Sequence, residues 1–288
     1  MKAPRFLYRR PDTLEEALAL LADNAGEAQV LAGGQSLMPT LNMRLSSPGM
    51  LVDINRIAGL QDIAERGDAI HLGALVRHRE VAESDLIARR VPLVASAMTH
   101  VAHMAVRNRG TTCGSLALAD PSAEMPAVAV LLNATIHLDS KAGKRDVAAR
   151  AFFQGLYATD RAEDEMITGV TFPSAAQDAC FHFQELSRRH GDFAVVGIAV
   201  KGRSRNGRIE DVEAVIFGSE ATPLVSSASA SISIAPDTPD TTLHEMAHSI
   251  TAEMDPIANH QGRPETKQHQ AAELLKRAFA EFRMIANV

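Results

Sequence analysis

Tryptophan is absent, and only 4 % of the 288 residues are aromatic. A surface that stacks nucleobases needs aromatic platforms. A formal charge of −6 offers no basic face for a phosphate backbone. Nucleic acid is therefore excluded as a partner. Cysteine is scarce too: Cys113 and Cys180 make neither a C-x-x-C pair nor a four-thiolate cluster, so the chain holds no iron–sulfur centre unaided. Long apolar runs are also missing. Val91–Val106 is interrupted by Ser96, Thr99, His100 and His103, and Met125–Leu138 by Asn133 and His137. Neither reaches the ~18 apolar residues of a bilayer span. The opening MKAPRFLYRRPDTLEEA has charges but no apolar core of the signal-peptide kind. A reduced, cytoplasmic protein without a membrane span is expected.

What remains is ordinary globular composition, 46 % hydrophobic and 22 % charged, in a chain long enough for two domains. Pro11-Asp12-Thr13 caps an amphipathic helix carrying Leu14, Ala17, Leu18 and Leu21, with Glu15 and Glu16 in its first turn. Strands are expected at Gln29–Leu31 and Leu51–Ile54, so the first ~55 residues read as a small α/β unit. Further on, Ile70–Leu72 reads as a strand, Val76–Ser84 and Pro92–Met104 as helices, Met125–Leu132 as a helix, and Thr135–Leu138 and Ile167–Phe172 as strands. Beyond Pro173 the pattern changes. Phe193–Val200 and Val212–Phe217 flank Asn206-Gly207, the signature of an antiparallel hairpin. A Ser/Ala/Pro stretch then leads to helical segments at Leu243–Met254 and Lys267–Ile285.

Two glycine-bearing loops carry the chemical signal. In QVLAGGQSLMPTLNMRL (Gln29–Leu45) a Gly-Gly pair joins a short apolar run to a helix-like segment. Glycines there let backbone approach a ligand, often a phosphate, but neither G-x-G-x-x-G nor a Walker lysine is present. The second loop, Gly110-Thr111-Thr112-Cys113-Gly114-Ser115, gathers small residues and hydroxyls, with Asp120, Pro121 and Glu124 following. Backbone N–H groups in such nests bind anionic oxygens. A tight turn explains either loop alone; together, in different α/β units, they point to a diphosphate held between domains.

Three segments, AGGQSL (Ala32–Leu37), RNRGTTCGSLALADPSAEMPA (Arg107–Ala127) and SRRHGDFAVVGIA (Ser187–Ala199), resemble the FAD-binding medium subunit of molybdenum hydroxylases, the carbon monoxide dehydrogenase and xanthine dehydrogenase type. The resemblance runs from Pro4 to about Phe279. It implies an α+β chain: a PCMH-type FAD-binding domain over residues 1–175, made of two α/β subdomains (about 1–55 and 56–175), and a C-terminal domain over 176–288 with an antiparallel sheet and helices. Residues matching Val30, Leu31, Ala32, Gly33, Gly34, Gln35, Ser36 and Leu37 wrap the FAD pyrophosphate in the family. Those matching Thr111, Thr112, Cys113, Gly114 and Ser115 form the second phosphate and ribityl loop. Positions matching Glu124, Ile167 and Gln184 contact the dinucleotide, and Asp120, inside the same motif, joins the set. No catalytic residue and no metal ligand is assigned to this chain.

The same resemblance implies partners: a small 2Fe-2S subunit and a large molybdopterin subunit, in a dimer of heterotrimers. Electrons would pass from the clusters to FAD and on to an external acceptor, while the large subunit hydroxylates substrate. Gln35, where the carbon monoxide enzymes carry His, leans toward an N-heterocycle or other aromatic substrate. A stand-alone FAD oxidoreductase of this fold and a scaffold that has lost flavin are the alternatives. Three positions depart from the family pattern. Cys113 replaces a glycine of T-I-G-G-S, so its side chain must point away from the flavin or its backbone must avoid positive φ. Gln184-Glu185 stands where relatives often have lysine, and Glu265–His269 replaces EYRRH.

Other features compete for meaning. His244-Glu245-Met246-Ala247-His248 spells H-E-x-x-H, the zinc-protease signature. Met254, however, stands where the extended motif needs a third histidine, and Leu243, Met246, Ala247 and Ile250 form an apolar stripe. A packed helix without metal is the expectation. His100 and His103 read as polar interruptions of a buried helix. Arg107 and Arg109 read as solvated or loop-supporting, Lys201–Arg208 as an exposed turn, and Met38, Met43 and Met50 as core filler.

Overall fold

A computed structural model describes residues 2–287, and its architecture is α+β. The N-terminal unit is built on a three-stranded parallel sheet in the order Leu7–Arg9, Met50–Asp53, Ala28–Leu31. Its central strand is buried along its whole length. The helix Leu14–Asp23 covers it, turning Ala17, Leu18 and Leu21 inward. Thr13 Oγ1 accepts from the Glu16 amide at 3.2 Å, the cap expected from the sequence, and the Glu16 carboxylate accepts from the Asp12 amide at 3.1 Å, one residue before the cap. The edge strand Leu7–Arg9 was not anticipated. Three exposed residues after Pro4 carry no alternation to announce it.

The next unit is a five-stranded sheet in the order Ile63–Glu65, Ala69–Gly73, Met166–Pro173, Thr135–Ser140, Gly143–Ala148, with every neighbouring pair antiparallel. The helices at 85–90 and 112–118 pack on it, and those at 92–98 and 124–131 pack on each other. The segment Pro92–Met104 is not one helix. It stops at Met98, turns through Ala102 at φ 46°, and restarts as the short helix Met104–Arg107. The helix ends as the Thr99 and His100 amides bond back to Ser96 O and Ala97 O, and Ala102 then redirects the chain from the left-handed region without glycine's signature.

The four-stranded antiparallel sheet Ala179–Leu186, Val196–Arg205, Arg208–Phe217, Leu224–Val225 follows. Its hairpin turns at Asn206 (φ 50°) and Gly207 (φ 70°), the paired left-handed residues of a type I′ turn. Val196, Ile198 and Val200 pack under the helices Asp240–Thr251 and Pro264–Ile285. Phe183, Ala199, Val215 and Phe217 face the other way, into the N-terminal core. The bridge between the two is the helix Glu124–Leu131, all eight of whose residues are buried. A helix apolar on every side must be covered on every side. It packs on the helix Pro92–Met98 and on the strands Val196–Arg205 and Arg208–Phe217. Asn133, in the left-handed region at φ 51°, closes it, and the Ala134 amide returns to Ala129 O at 2.9 Å.

Candidate cofactor site

The strand Ala28–Leu31 ends in the first glycine loop, which crosses to the six-residue helix Leu37–Asn42. Gly34 adopts φ 70°, a conformation that costs L-residues about 1–2 kcal/mol. Ser36 stands at the helix start without capping it through its side chain. Among the described residues, the amide groups of Gly33, Gly34, Gln35 and Ser36 donate to no protein acceptor. Unpaired amides are expensive unless water or a ligand meets them, and Gly33, Gly34 and Gln35 line a cleft of about 530 Å³ with Leu31, Ala32, Met38, Asp53, Asn55 and Arg109. Successive free N–H groups on a concave backbone are a nest for anionic oxygen. Gln35 is exposed, its side-chain amide folded back on Gly33 O at 3.1 Å.

A polar strut fixes the cleft floor. Asn55 Nδ2 donates to Ala32 O at 2.9 Å and to Asp53 Oδ1 at 2.6 Å. Arg77 donates through one terminal nitrogen to Asn55 Oδ1 and through the other to Arg109 O. The Tyr8 hydroxyl donates to Asp53. Burial pushes the Asp53 carboxyl up, but hydrogen bonds from Tyr8 and Asn55 prevail and hold it below its ordinary range. These groups were not singled out from the sequence. Tyr8, the Asp53–Asn55 turn and Arg77 come from three separate segments that no spacing in the sequence links.

The second loop is pinned to the first. Gly110 O accepts from the His78 amide at 2.9 Å, and Thr111 bridges to Arg77. A Cβ built on Gly33 would lie 2.8 Å from Gly110 Cα and 3.0 Å from Arg109 C. Glycine is required at Gly33 because the two loops touch there, whatever else the backbone approaches. Thr111 caps the helix Thr112–Leu118, its Oγ1 accepting from the Gly114 amide at 3.0 Å. Thr111, Thr112 and Cys113 are buried, and Gly114 and Ser115 are half-exposed. Cys113 occupies the helix's first turn rather than a left-handed position. Its Sγ points inward, 4.0 Å from Leu72 O and 3.9 Å from Gly73 O. Burial pushes its thiol up to about 12. The backbone at Cys113 thus avoids positive φ, one of the two conditions set by the missing glycine. Thr112 Oγ1 is buried with no partner.

The chain aligns over residues 4–175 with the FAD binding domain of molybdopterin dehydrogenases and over residues 181–282 with the CO dehydrogenase flavoprotein C-terminal domain. It belongs to the FAD-binding medium subunits of the molybdenum hydroxylases. Caffeine dehydrogenase subunit beta of Pseudomonas sp. strain CBB1 is 39 % identical over 78 % of this chain and 76 % of the relative. The carbon monoxide dehydrogenase medium chain of Hydrogenophaga pseudoflava is 32 % identical over 97 % of each. The fold is that of a chain in quinoline 2-oxidoreductase from Pseudomonas putida 86, with a TM-score of 0.94, 33 % identity and complete coverage of both chains. The holoenzymes of this family are oxidoreductases, and FAD is the medium subunit's cofactor.

In this medium subunit the anion nest, its polar floor and the second loop fit a dinucleotide diphosphate. Asp120 and Glu124 follow directly. Asp120 accepts from the Ser122 amide at 2.9 Å and from the Tyr157 hydroxyl at 3.2 Å. Burial holds its carboxyl above the ordinary range. Glu124 opens the buried helix. Burial, and then the charges of Glu185 and Asp120, push it up to about 8. Ile167 is buried in the strand Met166–Pro173, on which the helix Thr112–Leu118 packs. Gln184 lines a different cleft, with His100, His182, Arg277 and Glu281, so the glycine-loop cleft does not include it. His244 and His248 meet at 3.0 Å on an exposed helix face, and among the described residues no third ligand joins them.

Proposed function

We propose that this chain holds the FAD diphosphate on the free amides of Gly33–Ser36, with Val30, Leu31, Ala32 and Leu37 walling the loop and Thr111–Ser115 closing it from the other side. Four unpaired amides in one concave turn carry this reading. Asp120, Glu124 and Ile167 continue the contacts along the dinucleotide, whereas Gln184, expected to join them, lies in the separate cleft with His100 and His182. When bound, a flavin mediates between one-electron and two-electron carriers, which no side chain does. The chain's own residues bind and orient: Arg77 and Asn55 fix the distance between the loops, and the buried Glu124 keeps a proton near neutrality. Residues 1–175 carry this site, in two subdomains of about 1–55 and 56–175. Residues 176–288 form the sheet-and-helix unit, a division that the two matched segments support.

The electrons come from 2Fe-2S centres on a small partner subunit and leave to an external acceptor. Substrate is hydroxylated on a large molybdopterin subunit, in a dimer of heterotrimers. With two cysteines, both buried, the chain leaves the clusters to a partner. Similarity to the caffeine and quinoline proteins supports an N-heterocycle or other aromatic as the substrate. Among the described residues no helix is long and apolar enough to cross a membrane, and free thiols support a cytoplasmic site. The test is the native complex. Mass spectrometry should show three kinds of subunit, and denaturation should release FAD stoichiometric with this chain. A complex without flavin would overturn the proposal, and a flavin-bearing chain that purifies alone and oxidises substrate would make it a stand-alone oxidoreductase.

A further inference from the structure

A lysine is almost never fully buried unless it is paired, yet Lys267 is 0 % exposed. It is the fourth residue of the helix Pro264–Ile285, near the end where the helix dipole opposes a cation. Burial draws its proton affinity below the ordinary lysine value, and among the described residues no carboxylate draws it back. The helix itself gives no reason for a lysine here. Its partners do. Lys267 Nζ donates to Gly218 O at 3.1 Å and to Ile257 O at 3.0 Å. Two carbonyls from separate segments thus converge on one ammonium, in charge-assisted bonds stronger than neutral ones.

Gly218 is the hub of this tie. It directly follows the strand Arg208–Phe217, and its own amide donates to Pro121 O at 2.8 Å. Both of its backbone polar groups are engaged, one by the C-terminal helix and one by the turn between Asp120 and Glu124. It has little room to slide, because a Cβ there would lie 3.1 Å from Val195 O and 3.2 Å from Ala194 O. Ile257 returns its amide to Ser219 O at 2.8 Å, so the loop after the helix Asp240–Thr251 closes on the same corner. On the far side Pro121 is bonded covalently to Asp120, whose side chain accepts from the Ser122 amide at 2.9 Å and the Tyr157 hydroxyl at 3.2 Å.

We propose that Lys267 is a positioning residue for the cofactor site: through Gly218 it fixes Pro121, and so the stance of Asp120 and Glu124 on either side. The proposal rests on the cofactor reading, because those two acids are its contacts along the dinucleotide. Lys267 itself lines neither of the two clefts described above. It acts through the hydrogen bonds at Gly218. Without the ammonium, Gly218 O and Ile257 O lose their donor and the corner loosens. The Asp120 turn then samples positions that FAD must reorder, so the loss falls on FAD affinity and not on stability alone.

Lys267→Met tests this, since it keeps an unbranched stem and removes the donors. In the native complex, stripped of flavin and titrated back, its FAD affinity should fall about tenfold. Lys267→Arg keeps a cation with several donors and should stay within about threefold of the wild type. Phe279→Leu is the control: Phe279 is buried in the C-terminal core, so the melting temperature should drop while FAD affinity holds. The wild type alone gives a second reading. Coupling is reciprocal, so bound FAD should slow hydrogen–deuterium exchange of the Gly218 amide roughly threefold. Equal losses of affinity in Lys267→Met and Phe279→Leu, a Lys267→Arg variant no better than Lys267→Met, or Gly218 exchange blind to FAD would overturn the proposal. A wild type that binds no FAD fails the cofactor reading itself; a wild type that binds, with Lys267→Met binding equally well, fails this proposal alone.

Discussion

Replacing Gly33 by alanine probes the point where the two loops touch. The added Cβ would sit 2.8 Å from Gly110 Cα and 3.0 Å from Arg109 C, and closer still to Arg109 O. Carbon atoms rest at about 3.5–4.0 Å, so the loops must part by roughly 1 Å. Both partners are backbone, and Gly110 O is already held by the His78 amide, so no side chain can rotate away. Overpacking of this kind costs about 1–3 kcal/mol. The free chain relaxes by separating the loops, whereas a diphosphate spanning both needs them together. The cost therefore falls on binding, as FAD affinity reduced about 5- to 150-fold. Fluorescence titration of the flavin-stripped full chain reads this directly. Gly155→Ala is the control: its Cβ meets nothing nearer than 4.0 Å, and affinity and melting temperature should match the wild type. Wild-type affinity in Gly33→Ala would refute the clamp.

Three more outcomes are expected. Glu124 has its proton affinity raised from 4.5 to about 8. The folded chain therefore binds the extra proton between those values, and stability falls as pH rises through that window at about 1.4 kcal/mol per unit. Glu124→Gln should remove that slope in denaturant titrations, and parallel slopes would show that burial does not hold the proton. Cys113 and Cys180 are buried with thiols pushed up, to about 12 and about 11. A thiol reagent should leave both unlabelled in the folded chain and label both in denaturant; fast labelling of native Cys113 would contradict its inward orientation. Arg77→Met should cost about 1–3 kcal/mol by leaving Asn55 Oδ1 and Arg109 O without their donor, and should also weaken FAD binding. Arg77→Met as stable as the wild type would remove the strut.

What was legible in the sequence was local. Asn206-Gly207 marks a hairpin because two left-handed residues match the twist of antiparallel strands, and Thr13 marks a helix start because its hydroxyl satisfies an orphan amide. Gly33 and Gly34 announced a close approach, and the resemblance supplied the ligand. What Gly33 approaches, the backbone at Arg109 and Gly110, depends on a contact across more than seventy residues that no spacing rule encodes. The Asp53, Asn55 and Arg77 floor was hidden for the same reason: polar networks assembled from distant segments have no period. The break at Ala102 escaped because alanine seldom takes a positive φ. Cys113 was read as a disturbance of the site, yet the strand beneath its helix gives the sulfur a place.

The helix Glu124–Leu131 carries a consequence for anyone cutting or recombining this chain. It precedes the four-stranded sheet in sequence, yet Val215 and Phe217 of that sheet share its core. A protease nick near Ala175, whose amide is tied to Arg90 O at 2.7 Å, should leave the two fragments associated, and calorimetry should record one transition rather than two. A chimera that takes the C-terminal sheet from a relative must bring residues 124–131 with it. The unit that can be exchanged is set by that shared helix, and the sequence junction near residue 176 cuts through it.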